Sequence, residues 1–406
     1  MANIFSTNSK RNDKKIILVS FLVAFFLNVK TINAYITKGS EEGGYMSILY
    51  ILVIGAIGLT CLWKKQQKRV PYNAFLIPCI LSLFYSLTCV FSGNPRVNIA
   101  YFSVFTISSF LIPFLVEINV RQTLKIMMIL SSPAILFLNQ IFAFKIFYDE
   151  RISMGICYVF LTPIVASIVY MFLYFKNENF VSKIISLILF LINMVYFMYL
   201  FLFGSRGPLL EIFALFLILY FLSISNKGFG IKVNKKRFKI SIVIVFIILG
   251  IGFTIFDWLN NLFASYGINV YFIDKMLELN DAGDVSNGRN ELYDLAIADF
   301  LQSPLFGRGI GRFDANHPGG SYPHNFVLQI LSDGGLLLFF LLFIPIIKQI
   351  KNFIKYCTFD KYAILITLFF ASVPGALFSG DLWESGNLWF LFGAIMSNRL
   401  IQKNYE

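Results

Sequence analysis

Charged residues are scarce in this sequence: they make up 14% of the 406 residues, against 57% for hydrophobic residues. A soluble helical protein carries charge along the outer face of its helices, and long stretches of this chain have none. Apolar runs of about 20 residues recur instead, and Phe alone occurs 47 times. The composition therefore predicts an all-α, polytopic membrane bundle.

Residues that bind metals are also rare, with two histidines and five cysteines in the whole chain. The cysteines lie in apolar runs or in a basic segment, so we interpret them as packing residues. Two histidines without a thiolate make a poor zinc site. Asp281 and Asp284 would need further ligands to hold a divalent cation. We therefore expect no metal and no cofactor.

The net charge is +12. The distribution of the basic residues along the chain is explained better by membrane topology than by a nucleic-acid surface, so no nucleic acid is expected as a partner. With the N-terminus inside and twelve spans, most of the 34 Lys and Arg residues fall on one side, as the positive-inside rule requires. Both termini are then cytoplasmic. The first run lacks a small-residue cleavage site and is expected to stay as an uncleaved helix. The runs are 16–29, 46–63, 73–92, 99–118, 124–144, 155–175, 184–203, 208–225, 240–257, 326–347, 362–379 and 386–400.

One long polar segment interrupts this pattern and divides the chain into three parts. Residues 1–257 are expected to form about nine spans and residues 326–406 about three. Between them, residues 258–325 form an outer loop that contains both histidines, His317 and His324. Within the loop, 289–302 is predicted to be an amphipathic helix with its apolar side against the bundle, ended by Ser303-Pro304.

Two arginines are candidates for binding an anion. Arg206 lies in a very short outer turn, where a cation near the membrane either reaches lipid headgroups or binds an anionic group. Arg289 lies in the first turn of the loop helix, where a cation opposes the helix dipole unless an anion such as phosphate docks there. An ordinary solvated arginine is the alternative. Glu211 is expected to balance the next helix dipole or to pair with Arg206.

His324 is the candidate general base. It lies at the predicted start of a membrane helix, where the dipole disfavours imidazolium and favours a neutral ring. A histidine that only caps the helix is the alternative. His317, in a Pro-Gly turn, is interpreted as a loop residue.

Further candidates for substrate contact are Arg308, Arg312, Tyr293 and Asn325. The glycines around the two arginines do not form a nucleotide-binding fingerprint, because no strand precedes them. Tyr293, with Tyr266, Tyr271 and Phe272, could stack on sugar rings or belong to an interfacial aromatic belt.

Three segments resemble the bacterial superfamily of O-antigen polymerases and O-antigen ligases, which are membrane glycosyltransferases. The first is GSRG at 204–207, a short outer turn with an arginine. The second is GRNELY at 288–293, followed by SPLFGRG at 303–309. The third is HNFVLQ at 324–329, followed by DGG at 333–335. Their order, spacing and outer location together are typical of the family.

The resemblance implies transfer of a glycan from an undecaprenyl-pyrophosphate carrier to a sugar hydroxyl, without a nucleotide sugar, at the outer face of the cytoplasmic membrane. Arg206 and Arg289 would hold the pyrophosphate, and His324 would assist the acceptor hydroxyl. The implied partners are the carrier-linked oligosaccharide, membrane lipids and a chain-length regulator protein.

A polymerase for O-antigen or capsular units is favoured over a ligase, because the modest outer loop leaves little surface for docking lipid A-core. A polysaccharide flippase would need polar or charged residues along its spans, which are nearly bare of charge. A non-catalytic assembly or sensor protein gives no reason for arginines and a histidine to converge on one face.

Overall fold

The computed structural model describes residues 2–37, 44–62, 73–138, 141, 154–204, 206–223, 254–267, 270–281, 288–318, 322–356 and 359–397. Throughout this part of the chain the regular elements are helices, with no β-strand, so the all-α prediction is confirmed. The helices are α1 (Ala2–Leu27), α2 (Val29–Ile36), α3 (Gly44–Leu62), α4 (Asn73–Phe91), α5 (Ile99–Leu115), α6 (Val120–Ser131), α7 (Met154–Leu173), α8 (Phe180–Phe203), α9 (Arg206–Ser223), α10 (Thr254–Ser265), α11 (Tyr271–Asp281), α12 (Arg289–Gln302), α13 (Phe313–Asn316), α14 (Phe326–Tyr356), α15 (Phe359–Phe370), α16 (Val373–Phe378) and α17 (Gly386–Met396).

Six helical stretches among the described residues are long and apolar enough to cross a membrane, or seven if α1 and α2, bent by 65° between them, count as one span. The predicted total of about twelve is not confirmed. Several predicted runs form apolar helices of only 10–17 residues, and the run 240–257 lies almost wholly outside the described residues. The six are 74–91, 120–137, 155–173, 180–202, 326–349 and 359–378.

Helix α7 forms the centre of the bundle. Within its apolar stretch 72% of the residues are buried, against 28% for α8 and 33% for α4. It packs against α6, α8, α9 and α15. The outer helices instead expose large side chains such as Ile188 and Leu191 on α8. In a membrane protein such exposed apolar side chains face lipid, so we place α8 at the periphery of the bundle.

One end of the bundle collects the basic residues between spans. Arg121 Nη2 lies 2.7 Å from Glu178 Oε1, and Lys125 Nζ lies 3.8 Å from Glu178 Oε2. Tyr174 donates a hydrogen bond of 2.6 Å to Asp360. The charge pattern predicts that this end is cytoplasmic. His324 lies at the opposite end, because α14 begins just after it and runs to the basic side.

The polar loop is fixed to α14 where that helix is broken at Gly335, which has φ 62° and ψ −163°. A Cβ on Gly335 would lie 2.5 Å from the carbonyl carbon of Leu305, so only glycine lets the two backbones approach this closely. The N–H groups of Leu336 and Leu337 donate to the carbonyl oxygens of Pro304 and Leu305, at 2.8 and 3.1 Å. In the other direction, the N–H groups of Arg308 and Gly309 donate to the carbonyl oxygens of Ser332 and Asp333, at 2.7 and 2.9 Å.

Helix α12 has the predicted bounds but not the predicted amphipathic pattern. Ala296 and Asp299 are its buried residues, whereas Ile297 is 43% and Leu301 66% exposed. The prediction of a single apolar side was therefore wrong. Apolar side chains lie on two faces, because the end of α12 and the turn behind it reach the part of α14 where lipid-facing residues begin.

Candidate active site

His324 has an unusual backbone conformation at the start of α14. Its φ is 56°, and it is the one residue other than glycine with positive φ in the described part of the chain. Residues held in this sparsely populated region concentrate at functional sites. The next residue, Asn325, caps α14, since its Oδ1 accepts from the N–H groups of Val327 and Leu328 at 3.0 and 3.2 Å.

The ring of His324 is oriented by Ser379, which follows α16. His324 Nδ1 lies 3.2 Å from the Ser379 carbonyl oxygen, and the Tyr322 hydroxyl donates to the same oxygen at 2.9 Å. The Tyr322 and His324 ring centroids are 4.2 Å apart. A carbonyl oxygen only accepts, so Nδ1 must carry a proton, and in the neutral ring Nε2 is the acceptor.

The surroundings keep this ring neutral. Burial lowers the pKa of His324 below its ordinary value of 6.5. The Ser379 carbonyl opposes the shift, and the positive charges of Arg289 and Arg96 lower the pKa further. His324 therefore remains able to accept a proton while standing beside two cations.

Arg96, in the turn between α4 and α5, is the cation that sequence reasoning missed. Its guanidinium carbon lies 5.3 Å from the centroid of the Tyr322 ring, within cation–π distance. Its Nη1 is 3.8 Å from Asp381 Oδ2. The Arg96 side chain is 34% exposed, so it contacts the site from the protein surface.

Asp381 and Glu384 bring negative charge to the same place from the segment between α16 and α17. Asp381 Oδ1 accepts from Gln329 Nε2 at 3.0 Å and from the Trp383 N–H at 2.8 Å. Burial raises the pKa of both carboxyls, although Arg96 and Lys30 favour their charged forms. Only its length marks this segment in the sequence, because Ser-Gly-Asp-Leu-Trp-Glu resembles any short loop.

Arg206 begins α9 next to this cluster. The following residue, Gly207, is so close to Tyr158 that a Cβ would lie 2.4 Å from the Tyr158 hydroxyl. Tyr158 in turn hydrogen-bonds Ser379 and is influenced by the charges of Glu211 and Arg289. The structure thus brings the backbone of Arg206 together with Arg289 and His324, three residues that are far apart in sequence.

The side chains of Arg308 and Arg312 contact residues other than His324. Arg308 Nη1 is 3.6 Å from Asp299 Oδ1, and Arg308 also hydrogen-bonds Gln302. Arg312 Nη1 donates to the Asn94 carbonyl oxygen at 2.8 Å. His317 Nε2 is 2.9 Å from Asp299 Oδ2. These contacts stabilise the part of the outer loop that follows α12.

The other candidates for substrate contact lie on different elements. Tyr293 is half-buried on α12 and Asn325 is used as a cap. Tyr266 is exposed. The side chains of Tyr271 and Phe272 lie outside what the structure describes.

A buried carboxylate joins the glycine-rich passage to the bundle. Asp333 Oδ2 accepts from the Gly311 N–H at 3.0 Å and from Trp383 Nε1 at 2.6 Å. Thr88 Oγ1 accepts from the Ile310 N–H at 2.9 Å, and the Gly311 carbonyl oxygen accepts from the Arg96 N–H at the same distance. The outer loop, α4, α14 and the segment before α17 are therefore held in one framework around the site.

The geometry at this end of the bundle is that of a neutral histidine among arginines, which suits transfer onto a hydroxyl from an anionic leaving group. Residues 191–343 match the family model described as O-antigen ligase. The matched segment is a little over a third of the chain and contains Arg206, Arg289 and His324. The resemblance to the O-antigen polymerase and ligase superfamily is thereby confirmed. No curated protein matches the chain.

The O-antigen ligase model ends at residue 343. Five residues of the cluster lie outside the matched segment: Arg96, Tyr158, Ser379, Asp381 and Glu384. The site residues predicted from the sequence lie in recognisable segments, whereas those not predicted come from distant parts of the chain that the fold places beside them. The family comprises membrane enzymes of the glycosyltransferase type that act on lipid-linked glycans.

Proposed function

We propose that this protein is a polysaccharide polymerase. It transfers a glycan from an undecaprenyl-pyrophosphate carrier to a hydroxyl of a second carrier-linked unit, with inversion at the anomeric carbon. The observation that carries the proposal is the contact of His324 Nδ1 with the Ser379 carbonyl oxygen at 3.2 Å. It leaves Nε2 as a proton acceptor close to two guanidinium groups.

The leaving group determines what the site must supply. Pyrophosphate departs as a stabilised anion, so the reaction needs fixed cations where charge develops more than it needs an acid. Arg289, at the first position of α12, can hold phosphate oxygens together with the free N–H groups of that helix end. Arg206 supplies the second cation from the start of α9, and guanidinium groups bind phosphate bidentately.

The acceptor requires a base. In the proposed step the acceptor hydroxyl oxygen forms a bond to the anomeric carbon and gives its proton to His324 Nε2. The bond from that carbon to the phosphate oxygen breaks, and the pyrophosphate leaves with the electron pair. A base within hydrogen-bond reach of the hydroxyl accelerates such a step by about 10²–10⁴-fold.

A ligase that transfers the glycan to lipid A-core is the second candidate, since the matching family is described as O-antigen ligase. We favour the polymerase because the polar loop, residues 258–325, is modest in length and its described part is largely helical, with little additional surface for a large lipid acceptor. A chain-length regulator would then be a natural partner. Under either function the site faces the outer side of the cytoplasmic membrane, with both termini inside.

The test uses purified protein in lipid with the carrier-linked repeat unit as sole substrate, and products separated on a gel. A ladder of longer carrier-linked glycans supports the polymerase. Transfer that begins only when lipid A-core is added identifies a ligase. If folded protein gives no product in either assay, the proposal of a glycosyltransferase is wrong.

A further inference from the structure

A second polar site lies at the far end of α12 from Arg289. A cavity of about 450 Å³ is lined there by Ser92, Gln302, Ser303, Gly307, Arg308 and Asn316. Helix α12 has 14 residues, and a rise of 1.5 Å per residue places the cavity about 20 Å from Arg289. Its volume is typical of small-molecule sites, which occupy about 300–1,000 Å³.

The wall behind this cavity contains polar atoms whose hydrogen-bonding capacity is not used. Asn316 Nδ2 and Arg312 Nε are buried, and neither donates a hydrogen bond to any described residue. Each unsatisfied buried group costs about 1–3 kcal/mol. Asn316 lines the cavity and Arg312 is close to it in the chain, so a polar ligand in the cavity would satisfy such a donor.

The charges beside the cavity select against a strongly anionic ligand. Arg308 is offset by Asp299 at 3.6 Å, and Arg312 is directed to the Asn94 carbonyl oxygen. What remains is a mixture of donors and acceptors: the amides of Gln302 and Asn316 and the hydroxyl of Ser92. A sugar hydroxyl both donates and accepts, so one sugar ring can satisfy such a mixture.

We propose that this cavity is a sugar-binding subsite that holds a residue of the acceptor glycan away from the reacting bond. The assignment to the acceptor rests on the proposed function, whereas sugar binding itself does not. Because the cavity lies about 20 Å along α12 from Arg289, only an acceptor of several sugars spans both places. The subsite then favours glycans that already contain more than one sugar.

The experiment compares Gln302→Ala and Asn316→Ala with the wild type. Asp294→Ala is the matched control, since Asp294 is exposed on the same helix and outside both sites. Binding of the lipid-free oligosaccharide released by mild acid from the cells' own carrier-linked glycan is measured by saturation-transfer NMR. Transfer kinetics are measured with a short and a long acceptor, after matched melting temperatures establish that the variants are folded.

We expect both variants to weaken oligosaccharide binding and to raise KM for the long acceptor about three- to tenfold, the loss of one hydrogen bond. kcat and the short-acceptor KM stay unchanged, because the subsite does not touch the reacting atoms. Equal binding by wild type and variants, or no binding at all, overturns the subsite.

The two proposals fail separately. If wild-type protein transfers glycan but Gln302→Ala and Asn316→Ala leave the long-acceptor KM unchanged, the subsite is wrong and the polymerase stands. If wild-type protein binds the oligosaccharide in a way that depends on Asn316 yet transfers nothing, the subsite stands and the polymerase is wrong.

Discussion

His324 and Ser379 are 55 residues apart in sequence, and His324 Nδ1 lies 3.2 Å from the Ser379 carbonyl oxygen. This contact assigns the two ring nitrogens different roles, since the carbonyl can only accept. Nδ1 holds the ring in place, and Nε2 is left for chemistry.

We expect His324→Ala to reduce glycan transfer by about 10²–10⁴-fold, the usual contribution of a general base, while membrane insertion and folding are retained. Tyr322→Phe is the matched control: it removes one donor to Ser379 but leaves the base, so the loss should be about tenfold or less. Rates are measured with the carrier-linked substrate. A folded His324→Ala protein with full activity would remove the base from the mechanism.

The acidic limb of the pH profile should lie below pH 6.5, because the pKa of His324 is lowered and the ring must be neutral to act as a base. Activity is then lost as the pH falls through that lowered pKa. Arg96→Gln removes a positive charge that lowers this pKa, so the limb should move to higher pH. Arg96→Lys keeps the charge and should leave the limb in place. A limb that stays fixed in Arg96→Gln would contradict the electrostatic link.

Arg206→Ala and Arg289→Ala should each lower kcat/KM by about 100-fold or more, as for loss of a group that stabilises developing charge. The corresponding lysine variants should keep part of the activity, because lysine retains the charge but not the bidentate fork. The control is Arg121→Ala, which should leave kcat/KM unchanged, since Arg121 pairs with Glu178 at the opposite end of the bundle. Equal effects at all three positions would argue against the division of roles.

Gly335→Ala should destabilise the outer loop. The added Cβ would lie 2.5 Å from the Leu305 carbonyl carbon and would force φ 62° on a residue with a side chain. Such backbone strain costs about 1–3 kcal/mol. We expect a lower melting temperature and faster proteolysis near Leu305. Gly58→Ala is the control, since nothing lies within 4 Å of a Cβ at that position.

The turn after α12 should contact lipid. Its side chains Leu305 and Phe306 are 61% and 63% exposed. The Leu305 carbonyl oxygen accepts from the Leu337 N–H, so the turn lies beside a membrane span. On that span Leu337 is 41% and Phe340 50% exposed. In proteoliposomes a water-soluble maleimide should label Phe306→Cys about tenfold more slowly than Ala315→Cys, because the thiolate needs water to form.

Denaturation in SDS should equalise the labelling of Phe306→Cys and Ala315→Cys. Rapid labelling of Phe306→Cys before denaturation would place the turn in water. A disulfide-linked dimer of Phe306→Cys would mean that a second copy of the chain covers the turn.

Much of the helical architecture could be predicted from the sequence, because burial in a bilayer requires long apolar runs with internally satisfied backbones. The bounds of α12 followed from Ser303-Pro304 at its end. The span count was less secure, since apolar helices such as α5 and α17 are shorter than a bilayer is thick. The prediction of a single apolar face for α12 was wrong because Ile297 and Leu301 lie off that face and are exposed.

The candidate site could be predicted only where a residue stood in a recognisable local setting. His324 was visible because it precedes a long apolar run. Arg96, Ser379 and Asp381 were not, because their importance comes from contacts across more than 50 positions in the chain. Arg308 was assigned to substrate by type alone, and its ion pair with Asp299 could not be inferred without coordinates.

The recognisable segment, residues 191–343, is not an autonomous module. The N–H of Ile310 depends on Thr88, the carbonyl of Gly311 on Arg96, and the ring of His324 on Ser379. A fragment cut to the family boundaries would lose all three supports. Chimeras that exchange this segment between related proteins should therefore work only when α4, the turn before α5 and the segment before α17 are exchanged with it.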